Sequence, residues 1–256
     1  HLLDVRNPDE PFSLAHFLDL AQKSIIDVQH RGQIPILVGG SGQYLWGLLE
    51  GWNVPSVPPN DPLRADLELQ AERRGTWVLH QLLTAVAPEV ALNVDAKNTR
   101  RVIRALEIHF ARGNKARTEK SKSPRGDRLL VIGLMVDRRE LYRRIDDRVD
   151  LMIRQGFKEE VEKLMGEGYS MSLPSMSGVG YRELALHITG EIELDEAIQR
   201  IKYRTHRIAR HQNAWFRRDD SRIRWLESDG SEIREGQCLI REHLARCDKI
   251  DRLGKV

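Results

Sequence analysis

At 256 residues, 40% hydrophobic and 31% charged, the chain is long enough to bury a core and to form one or two domains. No run approaches the ~18 apolar residues that cross a bilayer, and the N-terminus carries no charged-then-apolar signal pattern. Cys238 and Cys247 exclude a disulfide framework and a zinc quartet, and a net charge of +3 is too small to identify a nucleic-acid partner by itself.

A reducing, cytoplasmic setting is therefore the expectation. The chain opens at His1 inside what reads as a strand end, His1-Leu-Leu-Asp-Val5. An α/β sheet starting there lacks its first strand, so a preceding segment is expected.

Residues 13–31 read as a helix, with Ser13 as N-cap and Leu14, Phe17, Leu18, Ala21, Ile25 and Val28 at three- and four-residue steps. Ile34-Pro-Ile-Leu-Val38 carries no charge and reads as a central strand buried on both faces of a parallel sheet. Gly39, Gly40 and Gly42 follow, then helical spacing over 43–50. Strand, glycine turn and helix can present amides to an anion, although a tight turn without a ligand has the same pattern. Gln43 and Tyr44 stand where a phosphate loop of the G-x-x-x-x-G-K-[ST] type needs Lys and a hydroxyl, so this turn is at most a second wall of a site.

Four prolines between Pro55 and Pro62 mark a boundary. Beyond it, helices over 61–73, 75–87 and 97–112 with no strand between them read as an all-helical insertion. Residues 113–127 are almost free of apolar side chains and read as a linker, or as a loop that orders on a polyanion. A second buried strand is expected over 129–136, a long helix over 138–167, and helices over 181–188 and 194–218. A short strand at 222–227 and a helix at 231–247 are expected to be peripheral. The resulting domains are a core part at 1–60, the insertion at 61–125, a second core part at 126–227 and a C-terminal tail at 228–256.

The segment 202–218 contains Lys202, Arg204, Arg207, Arg210, Arg217 and Arg218 with no acid between them. Ile201, Ile208 and Trp215 are spaced by seven and should form an apolar seam, with Arg207, Arg210 and Arg217 turned away from it. That is the footprint of a helix docked on a core and facing phosphates; the alternative is a solvated face whose cations pair with acids elsewhere. Gln212 could read a base edge and Trp215 could stack, although Trp215 fits a core position better. Arg144 and Arg148, four apart on a helix that begins at a strand's carboxyl end, could clamp a diphosphate, or could join an i,i+4 lattice with Glu140, Asp146, Asp147 and Asp150. Ser177-Gly-Val-Gly-Tyr-Arg182 offers free amides at a helix start, and Thr99-Arg-Arg-Val-Ile-Arg104 is a further cationic cluster.

Taken in order, six segments resemble the tRNA dimethylallyltransferase (tRNA isopentenyltransferase) family. They are His1-Leu-Leu-Asp-Val, Ile34 to Leu45, Arg100-Arg-Val-Ile-Arg-Ala-Leu-Glu, Arg138 to Met152, Gly178-Val-Gly-Tyr-Arg-Glu and Arg210-His-Gln-Asn-Ala-Trp-Phe-Arg. The resemblance implies an α/β, P-loop NTPase-like parallel sheet flanked by helices, with an inserted helical subdomain gripping the tRNA anticodon stem-loop. The implied reaction moves a dimethylallyl group from dimethylallyl diphosphate to the exocyclic amine of the adenosine beside the anticodon, with Mg2+ on the diphosphate. By position, Ser41, Arg64, Arg100, Arg101, Arg104, Ser177, Gly178, Val179, Gly180, Tyr181, Arg182, Arg210, His211, Gln212, Trp215 and Arg217 would contact tRNA. Arg144 and Arg148 would face the diphosphate. A monomer with no membrane partner is expected. The family's phosphate loop and general-base Asp lie upstream of the segment matching His1, and His211 stands where the family usually has Arg. A non-catalytic RNA-binding protein on the same fold is the other reading these residues allow; a small-molecule kinase would not explain the insertion or the basic helix.

Overall fold

The computed structural model describes residues 1–54, 57–112 and 129–253, with backbone only at 112 and 248–253. It contains helices α1 (Leu14–His30), α2 (Gly42–Leu49), α3 (Asp61–Arg74), α4 (Thr76–Val86), α5 (Pro88–Ala91) and α6 (Thr99–Arg112). Strand β1 (Val131–Met135) is followed by α7 (Arg138–Arg154), α8 (Phe157–Gly166), α9 (Tyr181–Ile188) and α10 (Leu194–Trp215), then β2 (Ile223–Glu227) and α11 (Glu232–Leu253). A 3₁₀ turn, Ser175–Ser177, precedes α9. The class is α/β, a parallel sheet flanked by helices, with an all-helical insertion. The chain forms two compact units, one made of His1–Gly51 with Ser123–Val256 and the other of Trp52–Lys122.

In the helical unit, α3, α4 and α6 close on Leu67, Leu79, Leu83, Val102, Ile103 and Leu106. Asn60 caps α3 by accepting the Leu63 amide, and Asp61 with Pro62 begins the helix, where proline lacks only a donor that would be unpaired anyway. In the larger unit, α7, α8, α9 and α10 pack around Val149, Phe157, Val161, Leu184, Ala185, Ala197 and Ile201. Phe17 of α1 stacks on Tyr44 of α2, with ring centroids 4.6 Å apart.

The sheet differs from the expectation in three ways. Residues 34–38 form no strand among the described residues, and Ile36 and Val38 are 77% and 88% exposed, so this segment is neither central nor buried. An apolar run becomes a buried strand only where a neighbouring strand supplies ladder partners, and none is paired with it. Strand 222–227 is not peripheral, because β2 pairs in parallel with β1, Gly133 opposite Trp225. β1 itself is only partly covered, with Leu134 63% exposed. Other boundaries also move. His1–Val5 is irregular, with positive φ at Leu2 and Asp4. The helix expected over 138–167 is broken between α7 and α8 at Gly156, whose φ of +97° lies in the left-handed region that a helix interior does not accept. The linker reading of 113–127 lies outside the described residues.

Candidate functional site

The larger unit assembles its candidate site around α10. Three basic side chains between positions 202 and 206 of this helix meet acids on neighbouring helices. Lys202 Nζ lies 2.7 Å from Asp150 of α7, and His206 Nε2 lies 2.8 Å from Asp146 one turn earlier on α7, while its ring stacks on Tyr142. Both atoms of the His206–Asp146 contact are buried and have no other hydrogen-bond partner, and the imidazole nitrogen can donate to the carboxylate only when Nε2 carries a proton. Arg204 pairs with Glu183 of α9. Beyond His206 the pattern changes. Arg207, Arg210, His211 and Arg218 are exposed and have no ion-pair partner among the described residues, and Arg217 pairs only with its neighbour Asp219. Arg217 is held protonated by Asp219, to which it donates two hydrogen bonds.

The apolar seam expected along this helix is present only in part. Ile201 is buried, but Ile208 and Trp215 are 48% and 42% exposed, so Trp215 is not a core residue. It lies against the glycine turn instead. Trp46 Nε1 donates to the Trp215 carbonyl at 2.9 Å, and Gln212 Nε2 donates to the Gly40 carbonyl at 3.2 Å. A Cβ on Gly40 would sit 2.2 Å from Gln212 Nε2, and one on Gly42 would sit 2.2 Å from Trp215 Cγ. Gly39, Gly40 and Gly42 all avoid positive φ, so Gly40 and Gly42 are needed for the close approach of α10 rather than for a left-handed turn. Ser41 is exposed at the N-cap of α2, and its hydroxyl makes no capping bond. Arg222 locks the far side. It bonds Glu50 and Asp220, and its guanidinium lies 4.0 Å from the Trp46 ring centroid.

Helix α7 starts at Arg138, two residues separating it from the carboxyl end of β1. Asp137 caps it by accepting the Arg139 and Glu140 amides, which holds its carboxyl below the usual range. Glu140 takes hydrogen bonds from Arg143 and then Arg144, which lower its pKa to about 2. Arg144 thus joins the i,i+4 lattice, 2.7 Å from Glu140, whereas Arg148 is exposed with no partner among the described residues. Arg138 Nε donates to Tyr142 Oη at 3.2 Å.

The loop before α9 is set by Glu183. Its carboxylate accepts the Gly180 amide at 2.9 Å and pairs with Arg204, tying the loop to α10. Gly180 has φ +105°, and a Cβ there would meet the Phe157 ring at 2.4 Å. Val179 packs into the core, and Gly178 is exposed. Tyr181 Oη donates to Glu160; burial first and that bond second push its pKa up to about 12. Ser177 Oγ donates to the Pro174 carbonyl, and Arg182 is exposed without a partner among the described residues.

In the helical unit, Arg64 and Arg104 both reach Glu107, at 2.7 and 3.1 Å, and Glu107 is 2% exposed. Arg104 also donates to the Val57 carbonyl. Burial alone would raise the Glu107 pKa, but hydrogen bonds from Arg64, the Asn60 amide and Arg104 outweigh it and hold the carboxyl below the usual range. Arg100 and Arg101 are exposed and unpaired among the described residues. Sequence reasoning missed Glu107 and Glu183 as organisers. Their signal was an acid inside or beside each cationic motif, Arg104 three residues before Glu107 and Tyr181-Arg182 just before Glu183.

Comparison with known proteins identifies the family. The family model described as IPP transferase matches residues 1–219. A curated tRNA dimethylallyltransferase of Thermomicrobium roseum is 45% identical over 227 residues, covering 89% of this chain and 69% of its own length. That of Chloroflexus aurantiacus is 48% identical over 219 residues, covering 85% of this chain and 74% of its own length. Among solved structures, the tRNA isopentenylpyrophosphate transferase of Bacillus halodurans superposes with a TM-score of 0.67 at 32% identity, over 98% of this chain and 80% of that one. A eukaryotic dimethylallyltransferase acting on tRNA gives a TM-score of 0.74 at 24% identity, over 94% of this chain and 63% of that one, which shows the fold alone. The P-loop NTPase-like class expected from the sequence is the class of these neighbours. The chain belongs to the tRNA dimethylallyltransferase family, which are prenyltransferases.

Proposed function

We propose that this chain takes part in moving a dimethylallyl group from dimethylallyl diphosphate to the exocyclic amine of the adenosine beside the anticodon of tRNA. One observation carries the reading: among the described residues α10 leaves Arg207, Arg210 and His211 without an ion-pair partner on its exposed side, while Gln212 ties the same helix to the Gly40 turn. Cations that would bind phosphates are thereby kept in register with the glycine turn that precedes α2. Arg182, Arg217, Ser41 and Ser177, all exposed, would add further tRNA contacts, and Arg148 with Arg144 would face the diphosphate. The helical unit, with Arg100 and Arg101 outward, would grip the anticodon stem-loop.

The chemistry gives each part a task. An adenine must leave its stack to meet an alkyl donor, which costs a few kcal/mol and is offset by stacking and edge contacts. Negative charge grows on the departing diphosphate, and fixed cations aimed at it lower the barrier most. Among the described residues no cluster of three or more His, Cys, Asp or Glu is placed to hold a metal ion. Magnesium carried on a diphosphate needs only one or two protein carboxylates besides phosphate oxygens and waters, so by the family resemblance it would accompany the diphosphate, with the arginines of α7 as fixed cations beside it. The test is incubation with unmodified tRNA and isotope-labelled dimethylallyl diphosphate, followed by nucleoside mass spectrometry. Label on the exocyclic amine of the adenosine beside the anticodon is expected. Label elsewhere overturns the reading, and tRNA binding with no transfer replaces it by RNA binding without catalysis.

A further inference from the structure

Beside the basic face of α10 lies an open groove of about 450 Å³ lined by Glu183, Glu196, Gln199, Arg200, Tyr203 and Arg204. Its charges are already compensated: Arg200 pairs with Glu196 at 2.6 Å, and Arg204 pairs with Glu183. Two uncharged polar groups remain, the Gln199 amide and the Tyr203 phenol. Tyr203 is 63% exposed, a large aromatic ring left in solvent beside polar neighbours. It shares a stripe with Arg207 and Arg210 at i, i+4 and i+7, and both arginines are unpaired among the described residues.

A ring for stacking, an amide for an edge contact, neutralised ion pairs on the walls and free cations along the same stripe match one ligand chemistry. We propose that this groove receives an unpaired nucleobase of the bound tRNA, stacked on Tyr203, while Arg207 and Arg210 hold flanking phosphates. Sequence-tolerant base stacking on an exposed aromatic beside a cationic track is how single-stranded RNA is held. The inference rests on the proposed function for its partner, and it adds a contact on the N-terminal side of the basic face.

The stacking and phosphate contributions separate in a salt titration, because stacking displaces no counterions. The probe is an unmodified tRNA transcript, with affinity measured from low to physiological salt on the full chain. Tyr203→Ala should weaken binding about tenfold with an unchanged salt slope, and Tyr203→Phe and Tyr203→Trp should restore it. The urea midpoint of Tyr203→Ala should match wild type, since the side chain is mostly in solvent. Affinity of Tyr203→Ala within about twofold of wild type overturns the groove and leaves the proposed function standing. A phenylalanine variant as weak as alanine also overturns it, since the ring would then not be what binds. Wild-type protein that binds no tRNA overturns both readings.

Discussion

Replacement of Glu183 should loosen the junction between the glycine loop and α10. Its nearly buried carboxylate accepts the Gly180 amide and pairs with Arg204, so two elements depend on one side chain. Glu183→Ala leaves a buried amide donor without a partner, which costs about 1–3 kcal/mol. It also removes a charge-assisted bond, and because the Arg204 side chain is 39% exposed, that part is discounted to about 1 kcal/mol or less. Glu183→Gln keeps an acceptor for Gly180 and loses only the charge, so it should cost about 1 kcal/mol. Urea unfolding followed by circular dichroism, fitted with separate transitions for the two units, measures both. Alanine is expected to destabilise the larger unit by about 1–4 kcal/mol, with glutamine in between. An alanine variant within about 0.5 kcal/mol of wild type refutes the assignment of Glu183 as organiser of this loop.

Three further outcomes follow from particular contacts. The Glu107 carboxyl has a lowered folded pKa, so its contribution is present above the ordinary glutamate value of about 4.3 and is lost as pH falls through the folded value. Acid titration of the helical unit should therefore show a stability loss below that pH that Glu107→Gln flattens, and an unchanged acid limb in the variant contradicts the assignment. Gly42→Ala pushes a methyl group into Trp215 and should cost about 1–3 kcal/mol while weakening tRNA binding; unaltered stability would show that α10 does not press on the glycine turn. Spectrophotometric titration should find one tyrosine ionising near pH 12, and that signal should move down towards the ordinary tyrosine range in Glu160→Gln, since the Glu160 carboxylate raises the Tyr181 pKa.

Helices were readable wherever an apolar stripe and a cap agreed. Ser13 with the 14–28 stripe gave α1, and Asn60-Asp61-Pro62 stands where α3 begins. Gly156 was readable in principle, since a glycine between two amphipathic stretches can mark a stop, but the stripe alone ran through it. Residues 34–38 show the opposite limit. Composition reports that Ile36, Leu37 and Val38 would suit a buried strand, while pairing depends on a neighbour that composition does not contain. The cations were readable as a count and not as a partition. That Lys202, Arg204 and His206 meet acids on α7 and α9 while Arg207 and Arg210 do not is a fact of helix packing, invisible in a segment without a single acid.

That partition underlies the claim that the unpaired side of α10 faces RNA, and the salt dependence of tRNA affinity tests it directly. Charge reversal of Arg207 and Arg210 together should lower the slope of log affinity against log salt by about 1.4 to 1.8, the loss of two phosphate contacts. Reversal of Lys202, which is held by Asp150, should leave the slope as it was. A slope unchanged by the Arg207 and Arg210 reversal would contradict the account.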